Sequence, residues 1–415
     1  MVISLFSCTF AKFFYMEQTK GKGQGVRRAV DTTRHHRENG WDYRGRAVYH
    51  FTFPVEGRFP LFGTLEGESA ERAFIRLNPF GYRVYQILCG LPQFYAAKGF
   101  ALKVLAQKVM PDHIHLVIQV LEPLPHSIGA VVRGFKSACT KVYKQEFLSC
   151  GENTAEVHSR GEQQGNAAEV HGIGEQQGNA AALMHFARIF ANRNSIWQQD
   201  AAYYHERILH APGQLNRMIN YVKDNPRRLW LKKNNPDLFR LHRHTEMCGL
   251  SFTSLGNHFL LDWHDNQTVE MPRNATVEQV QKRLQLAMAA AQNGAVTYTA
   301  AISKGERLIA RTLRKQGYPL VVLLSDGFPK DGSPHERFYK PGGIYFEACS
   351  RGQLLLLEPT EQTFLNADIQ SAVEGTLRRK AAERHYGYKQ IPLKSQRYRF
   401  VALNEIAKRL ARIER

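Results

Sequence analysis

Two histidines separated by a single residue are the first feature of this sequence whose residue types could do chemistry. His113 and His115 lie in the segment VMPDHIHLVIQV, which turns at its proline and continues as an apolar, β-branched run. Alternate residues of a strand point to the same face, so the two imidazoles would lie side by side and could share a metal ion. The same short pattern also occurs as two surface histidines that bind nothing.

A tyrosine and an asparagine form the second feature of this kind. Tyr221 and Asn225 belong to the segment NYVKDNP, near the end of a helix predicted over residues 214–223. If that helix continues to Asn225, the two side chains are four residues apart and share one face. The phenol could then act as a nucleophile beside an amide oxygen that suits a hard metal ion. The alternative is a tyrosine that only packs against its neighbours.

These features occur with a third segment, in a fixed order along the chain. The segments VMPDHIHLVI, IWQQDAAYYHERIL and NYVKDNPRRLW resemble the motifs of the REP-associated tyrosine transposases. That family is related to the single-strand transposases of small insertion sequences, within the His-hydrophobic-His superfamily. The resemblance covers about residues 43–233.

The resemblance implies a role for four side chains. His113 and His115 would be metal ligands, and Asn225 would stand where the family has its third, amide-type ligand. Tyr221 would be the catalytic nucleophile. The implied cofactor is Mg²⁺ or Mn²⁺, because two imidazoles and an amide leave positions open for phosphate oxygen and water. By the alternation of the strand, Asp112 points away from the metal and is not expected to be a ligand.

The implied function is DNA transposition, by nicking and strand transfer on single-stranded or hairpin DNA. The Tyr221 phenol would attack a scissile phosphate, form a 5′-phosphotyrosine intermediate and release a 3′-hydroxyl. Two other functions also fit the sequence. One is a domesticated relative that binds hairpin DNA without moving it, and the other is a nucleotide-binding α/β enzyme fused to a DNA-targeting domain. The protein is expected to act as a monomer or a homodimer.

Positive charge favours a polyanionic partner. The sequence holds 56 Lys and Arg residues against 37 Asp and Glu, a net charge of +19, although solubility alone also explains such an excess. The side chains expected to contact DNA are basic, apart from one tryptophan that could stack on bases. They are Arg133, Lys136, Lys141, Lys144, Trp197 and Arg227. Tyr203 and Tyr204 are further candidates for stacking, and packing or a solvated helix face is the alternative for the whole set.

The elements that must position these side chains form an α+β domain over residues 43–233. Strands are predicted over residues 47–55, 100–107 and 109–120. Helices are predicted over residues 127–147 and over residues 70–98, the latter with a break around Pro79 and Gly81. The resemblance implies a ferredoxin-like fold, which is an antiparallel sheet with helices on one face. A flexible basic segment, residues 1–42, precedes the domain. A low-complexity insertion at 151–182, with two copies of a thirteen-residue repeat, interrupts it.

The second half of the chain has a different pattern of predicted helices and strands. Residues 251–385 alternate between helical and apolar strand patterns, which predicts a parallel α/β domain, and residues 234–250 and 386–415 are interpreted as a linker and a basic tail. The segments AAISKGERLIARTLRKQGYPLVVLLSDGF and FEACSRGQLLLLEP resemble the Rossmann-like domain of DNA-processing proteins that load recombinase onto incoming strands. Ser303 and Glu306 fall at a strand-to-helix turn that could bind an anion, but the glycine-rich nucleotide motif is absent. A catalytically silent partner domain is the alternative.

Cysteine usage and hydropathy indicate the compartment. The six cysteines form no C-x-x-C pair, which argues against a zinc ribbon or a disulfide framework and favours a reducing, cytoplasmic location. No run of about eighteen apolar residues occurs, so no contact with a membrane is expected.

Overall fold

The described part of the chain consists of several ranges separated by gaps. The computed structural model describes residues 38, 40–148, 195–198, 205–328, 338–339, 341–383, 385, 387–388 and 390–412. The chain divides into two compact units, residues 1–230 and residues 231–415. Most of segment 1–42, the repeat insertion at 151–182, Tyr203 and Tyr204 lie outside the described residues. No described helix is both long and apolar enough to cross a membrane.

The first unit is built on a four-stranded antiparallel sheet. Its elements are β1 (Ala47–Pro54), β2 (Gly63–Glu66), β3 (Phe74–Leu77), α1 (Pro79–Ala96), β4 (Leu102–Val109), β5 (His113–Val120), α2 (Gly129–Val142), β6 (His205–Ile208) and α3 (Gln214–Asn234). The strand order in the sheet is β4-β5-β1-β6, and every neighbouring pair is antiparallel. Strands β2 and β3 form a separate hairpin.

Helix α1 begins later than the sequence pattern predicts. The expected helix covered residues 70–98, but the residues before Asn78 form the hairpin strand β3. Asn78 caps the helix, because its side chain accepts a hydrogen bond from the backbone N–H of Gly81. Pro79, which lacks a backbone N–H, stands at the first helical position, where no hydrogen bond is lost.

The two faces of this sheet pack differently. One face carries the aromatic row Tyr49, Phe51 and Phe53, which lies in one buried cluster with apolar residues of α1 and α2. The residues between them face the other way, and there Val117 packs with Met218 and Val222 of helix α3. The expectation of helices on one face therefore holds for α1 and α2, whereas α3 covers the opposite face.

The second unit is built on a six-stranded mixed sheet. Its elements are α4 (Pro236–Phe239), β7 (His242–Met247), β8 (Leu250–Gly256), β9 (Asn266–Thr268), α5 (Val277–Gln292), β10 (Val296–Thr299), α6 (Lys304–Lys315), β11 (Leu320–Leu323), α7 (Tyr345–Ser350), β12 (Leu354–Pro359), α8 (Glu361–Phe364), α9 (Ala367–Ala382) and α10 (Gln396–Ala411). The strand order is β7-β8-β12-β11-β10-β9. Strands β9 to β12 are parallel, and β8 and β7 extend the sheet in antiparallel pairing.

Helices cover both faces of this second sheet. Helices α5, α6 and α7 pack on one face, and helices α9 and α10 pack on the other. Strands β11 and β12 are buried along their whole length, as their unbroken apolar runs indicate. The chain as a whole therefore has mixed α and β content, with antiparallel pairing in both sheets.

Two segments differ from the sequence interpretation. Residues 234–250, expected to be a linker, contain helix α4 and strand β7, because β7 pairs with β8 as the outer strand of the sheet. Residues 386–415, expected to be a basic tail, contain helix α10. Its apolar side chains recur at helical spacing between the basic ones, so that Tyr398, Ala402 and Ile406 are buried against the sheet.

Candidate active site

The two histidines of strand β5 point to the same face and lie within contact distance. The Nε2 atoms of His113 and His115 are 3.1 Å apart. Two ligand nitrogens that each lie about 2.1 Å from one ion, at about a right angle, are about 3.0 Å apart. The spacing of the pair therefore fits a shared metal ion. His115 is 3% exposed, and His113 is partly buried at the edge of the site.

The Nδ1 atom of each imidazole has a polar partner on the side away from the pair. Nδ1 of His113 lies 2.6 Å from the Asp112 carboxylate. Nδ1 of His115 lies 3.0 Å from the Thr52 hydroxyl and 3.1 Å from Nε2 of His50, both on strand β1. Metal-binding histidines have such supporting partners, which fix the orientation of the ring. Asp112, which the sequence excludes as a ligand, thus lies where it can orient one.

Burial, with a smaller effect of neighbouring groups, keeps the His115 imidazole neutral. Burial, together with His113 and His50, holds the pKa of His115 well below its usual range. A neutral imidazole is the form that binds a metal. Burial alone would raise the pKa of Asp112, but its hydrogen bond to His113 and the charges of His113 and Arg58 lower it overall. Arg58 lies 3.6 Å from the Asp112 carboxylate.

Arg58 reaches Asp112 from an unusual backbone conformation. Gly57 and Arg58 both have positive φ angles, +61° and +57°. Glycine adopts this region freely, whereas an arginine does so at a cost of order 1 kcal/mol or more. In this strained conformation the Arg58 guanidinium lies near the Asp112 carboxylate, which contacts His113.

Helix α3 brings the tyrosine and the asparagine to the histidines. The rings of Tyr221 and His115 meet edge to face, with centroids 5.4 Å apart. Asn225 is 7% exposed, and its Nδ2 donates a hydrogen bond to the Tyr221 carbonyl. The Asn225 side chain also lies close enough to the side chains of His115 and Tyr221 to affect their pKa values, acting to raise that of His115 and to lower that of Tyr221. Two residues of one helix and two of one strand, distant in sequence, therefore form a single cluster.

Helix α3 does not end at Pro226, where the sequence predicts a break. It continues to Asn234. Beyond the proline, Arg228 is buried and the Trp230 indole donates a hydrogen bond to the Gly67 carbonyl. These contacts stabilise the turns that follow the proline and offset the hydrogen bond that its missing N–H cannot make.

Three arginines act on the tyrosine. The guanidinium of Arg228 lies over the Tyr221 ring, 5.2 Å from its centroid. Burial raises the pKa of Tyr221, while Arg228, the hydrogen bond with Asn225, Arg207 and Arg58 act to lower it. Sequence reasoning did not assign Arg58 or Arg207 to the site. Arg207 joins the site because β6 pairs with β1 and places Arg207 opposite His50, a register that the sequence alone does not reveal.

The predicted DNA-contacting residues of helix α2, and Lys144 in the π-helical turn that follows it, lie away from this cluster. Arg133, Lys141 and Lys144 are exposed, whereas Lys136 is partly buried and burial lowers its pKa to about 8. Helix α2 packs on the aromatic face of the sheet, opposite the face that carries the histidines. The structure therefore does not bring these residues together with Tyr221.

The expectation for Trp197 needs correction, whereas the expectation for Arg227 stays a prediction. Trp197 is completely buried among Phe53, Phe62 and Phe135, and its indole N–H donates to the Lys136 carbonyl, so no face of the ring is free to stack on a base. Arg227 forms a two-point ion pair with Asp224, at 2.6 and 3.2 Å. That pair neutralises Arg227, and it is the next residue, Arg228, that contacts the tyrosine.

The anion-binding turn expected in the second unit already holds a carboxylate. The side chain of Glu306 accepts hydrogen bonds from the backbone N–H groups of Met271, Ile302 and Ser303. Ser303 in turn caps helix α6 through the N–H of Glu306. The donors that a phosphate would use are therefore satisfied from within the chain.

Other groupings of possible metal ligands are absent from the described part of the chain. No three His, Cys, Asp or Glu side chains there are arranged to hold a metal ion. A metal at His113 and His115 would therefore take its further ligands from Asn225, water or substrate. The described cysteines, Cys89, Cys139, Cys248 and Cys349, are all free thiols.

Comparison with known proteins gives little further information. No family model matches the sequence, and no curated protein matches it. Among solved structures, the chain is similar to a provisionally assigned transposase from Deinococcus radiodurans R1, with 13% sequence identity. The similarity covers 45% of this chain and 95% of that one, with a TM-score of 0.23. A likeness of this size establishes neither the fold nor the function of the chain.

Proposed function

We propose that this protein is a metal-dependent DNA-nicking and strand-transfer enzyme that acts on single-stranded or hairpin DNA. Tyr221 is the nucleophile of the proposed reaction, and the intermediate is a 5′-phosphotyrosine. One observation carries the proposal. Tyr221 and Asn225 of helix α3 meet His113 and His115 of strand β5, although the two pairs lie far apart in the sequence.

The arrangement of elements supports the same proposal. Apart from the β2–β3 hairpin and helix α3, the first unit follows the order β-α-β-β-α-β around an antiparallel sheet with strand order β6-β1-β5-β4. That is the order of a ferredoxin-like domain, which the resemblance to the tyrosine transposases implies. The second unit has four parallel strands with helices on both faces, and we propose a Rossmann-like domain for it.

The proposed step is an exchange of two phosphate esters. The phenol oxygen of Tyr221 forms a bond to the scissile phosphorus and gives up its proton. The bond between phosphorus and the 3′-oxygen breaks, and that oxygen takes up a proton and leaves as a 3′-hydroxyl. The DNA on the 3′ side of the break remains attached to the protein through its 5′-phosphate. Attack by another 3′-hydroxyl on the phosphotyrosine reverses the exchange and rejoins the DNA without an external energy source.

The pKa of Tyr221 is raised overall by burial, and the surrounding side chains only partly offset this effect. Burial opposes ionisation of Tyr221, whereas Arg228, Asn225 and Arg207 favour it. An arginine over the ring also attracts the phosphate that the phenol must attack. Asp112 and Thr52 hold the outer nitrogens of the two histidines, so that both Nε2 atoms face the site.

The residues present fit the proposed Mg²⁺ or Mn²⁺ ion. His113 and His115 would hold it through their Nε2 atoms, and Asn225 through its amide oxygen, because its Nδ2 is already bonded to a backbone carbonyl. When bound, such an ion polarises the phosphate and offsets the negative charge of the transition state. The neutral state of His115 leaves its lone pair available for this role.

The test is a covalent-adduct assay with the full chain. Labelled single-stranded hairpin oligonucleotides are mixed with protein in Mg²⁺ or Mn²⁺, and in EDTA. We expect a metal-dependent protein–DNA band that resists denaturation and is lost in Tyr221→Phe. Tyr82→Phe is the control, because Tyr82 is an exposed tyrosine of helix α1 in the same unit. An adduct that persists in Tyr221→Phe rules out this nucleophile, and tight binding without any adduct indicates a hairpin-binding protein.

A further inference from the structure

Lys108 of strand β4 stands beside the two histidines. In the antiparallel pair β4–β5, Lys108 lies directly opposite His115. Residues that face each other in this way point to the same side of the sheet, with Cβ atoms about 5 Å apart, and the diagonal neighbour is His113. Lys108 therefore projects from the face that helix α3 covers, next to the proposed metal ligands.

The ammonium group of Lys108 has no partner within the described part of the chain. It is half-buried, and no described residue gives its side chain a hydrogen bond or an ion pair. Burial lowers the pKa of Lys108, and no carboxylate acts against this shift. Lys408 of the second unit shows the contrast, because two carboxylates, Glu270 and Glu405, lie within 2.9 Å of its ammonium.

The candidate site as a whole is short of negative charge. Arg58, Arg207 and Arg228 all act on Tyr221. The carboxylate that supports the histidines, Asp112, is already engaged by His113 and Arg58. Since a half-buried cation without a partner costs free energy, an anion from solution would stabilise this arrangement. In a DNA-processing site that anion is a phosphate of the DNA backbone.

We propose that Lys108 binds a non-bridging oxygen of a DNA phosphate within one nucleotide of the scissile position, and so positions the strand for attack by Tyr221. The inference rests on the proposed function, because it names a contact of the same site with its substrate. Lys108 is a positioning residue here and takes no part in the exchange of bonds.

The first experiment measures binding without chemistry. Full-length Tyr221→Phe protein is titrated with a fluorescent hairpin oligonucleotide in EDTA, alone and combined with Lys108→Gln, Lys108→Arg or Lys103→Gln. Lys103 is the matched control, because it lies on the same strand, points to the same face and is exposed, opposite Gln119. We expect Lys108→Gln to weaken binding about tenfold and to reduce the slope of log K against log salt by about 0.7. Lys108→Arg retains the charge and is expected to bind nearly as the parent does.

The second experiment locates the phosphate. Oligonucleotides with a single neutral methylphosphonate at successive positions are bound to the Tyr221→Phe protein and to its Lys108→Gln variant. At one position near the scissile bond, the methylphosphonate is expected to remove the difference between the two proteins. Elsewhere the tenfold difference persists.

The outcomes separate this inference from the proposed function. If the parent binds hairpin DNA but Lys108→Gln is no weaker than Lys103→Gln, Lys108 does not hold a phosphate and the proposed function stands. A loss of binding in Lys108→Gln that Lys108→Arg does not restore, with an unchanged salt slope, indicates a structural role and also overturns the inference. If the parent binds no hairpin DNA at any salt concentration, the proposed function itself fails.

Discussion

The two sheets of this protein use buried polar groups in opposite ways. In the first unit, one face of the sheet carries the polar side chains His50, Thr52, His113 and His115 in a row beneath helix α3. In the second unit, strands β11 and β12 carry Leu and Val residues on both faces, and helices cover both. The first sheet has a polar face beneath a helix, whereas the paired strands of the second form a hydrophobic layer.

The buried charged side chains of the two units also differ in whether other groups of the chain pair with them. Glu306 and Glu270 of the second unit are satisfied from within the chain, the first by three backbone N–H groups and the second by Lys380 and Lys408. In the first unit, the cations around Tyr221 outnumber the carboxylates, and Lys108 has no described partner. A buried charge that the fold satisfies contributes to stability, whereas one that the fold leaves unsatisfied indicates a ligand. The comparison therefore agrees with the proposed DNA binding at the first sheet, and it indicates a structural role for the buried carboxylates of the second.

The largest expected effect comes from removing the histidine pair. The double variant His113→Ala, His115→Ala is expected to lower the rate of covalent adduct formation at least about a hundredfold, because both proposed metal ligands are lost. The rate is measured in Mn²⁺ over a range of concentrations. The variant is expected to retain hairpin binding, since the arginines around Tyr221 remain.

An exposed histidine provides the control for this variant. His126 lies in the same unit and is exposed, so His126→Ala is expected to leave the rate unchanged. Circular dichroism verifies that the double variant is folded. A folded double variant that forms adduct at the parent rate would exclude the metal site and remove the main distinction between the two sheets.

A smaller effect, on stability alone, is expected when the Glu306 carboxylate of the second unit is replaced. Glu306→Gln replaces an acceptor of three N–H groups by an amide whose NH₂ faces donors, and the free energy of unfolding is expected to fall by about 2–3 kcal/mol. Denaturant unfolding measures the change. Glu278→Gln is the control, because Glu278 is an exposed acidic residue in the first turn of α5. Adduct formation is expected to be unaffected, and a selective loss of activity in folded Glu306→Gln would instead place this turn in the functional site.

Local pattern was enough to predict many elements of both units. The Ile and Val residues around His113 and His115 predicted strand β5, and the alternation of helical and apolar strand patterns predicted the parallel strands of the second sheet. Helix α10 was missed because its basic residues dominate the composition of the tail. Its buried residues Tyr398, Ala402 and Ile406 become visible only when the helical spacing is counted.

The supporting residues of the candidate site depend on pairing between strands, which a single sequence does not contain. Thr52 and His50 touch His115 because β1 pairs with β5 in a particular register, and Lys108 lies beside His115 for the same reason on β4. Trp197 was assigned to DNA because an aromatic ring could stack on unpaired bases, with packing as the alternative. Its burial follows from its packing against Phe53 and Phe135, which lie far away in sequence.

The smallest expected effect is a change in pH dependence at Glu270. Burial alone would raise the pKa of Glu270, but Lys408 and Lys380 lower it below the ordinary value of 4.5. A carboxyl group with a depressed pKa in the folded state contributes stability that is fully present above its unfolded pKa and is lost as pH falls through the folded value. Glu270→Gln is therefore expected to lower the free energy of unfolding by about 1 kcal/mol at pH 7, and by less as pH falls below about 4.5. Urea unfolding at pH 7, 4.5 and 3 measures the difference, with the exposed Glu374→Gln as control. A deficit that stays constant down to pH 3 would show that the ionised carboxylate is not what stabilises this corner of the second unit, and that its charges are not paired in the way the comparison requires.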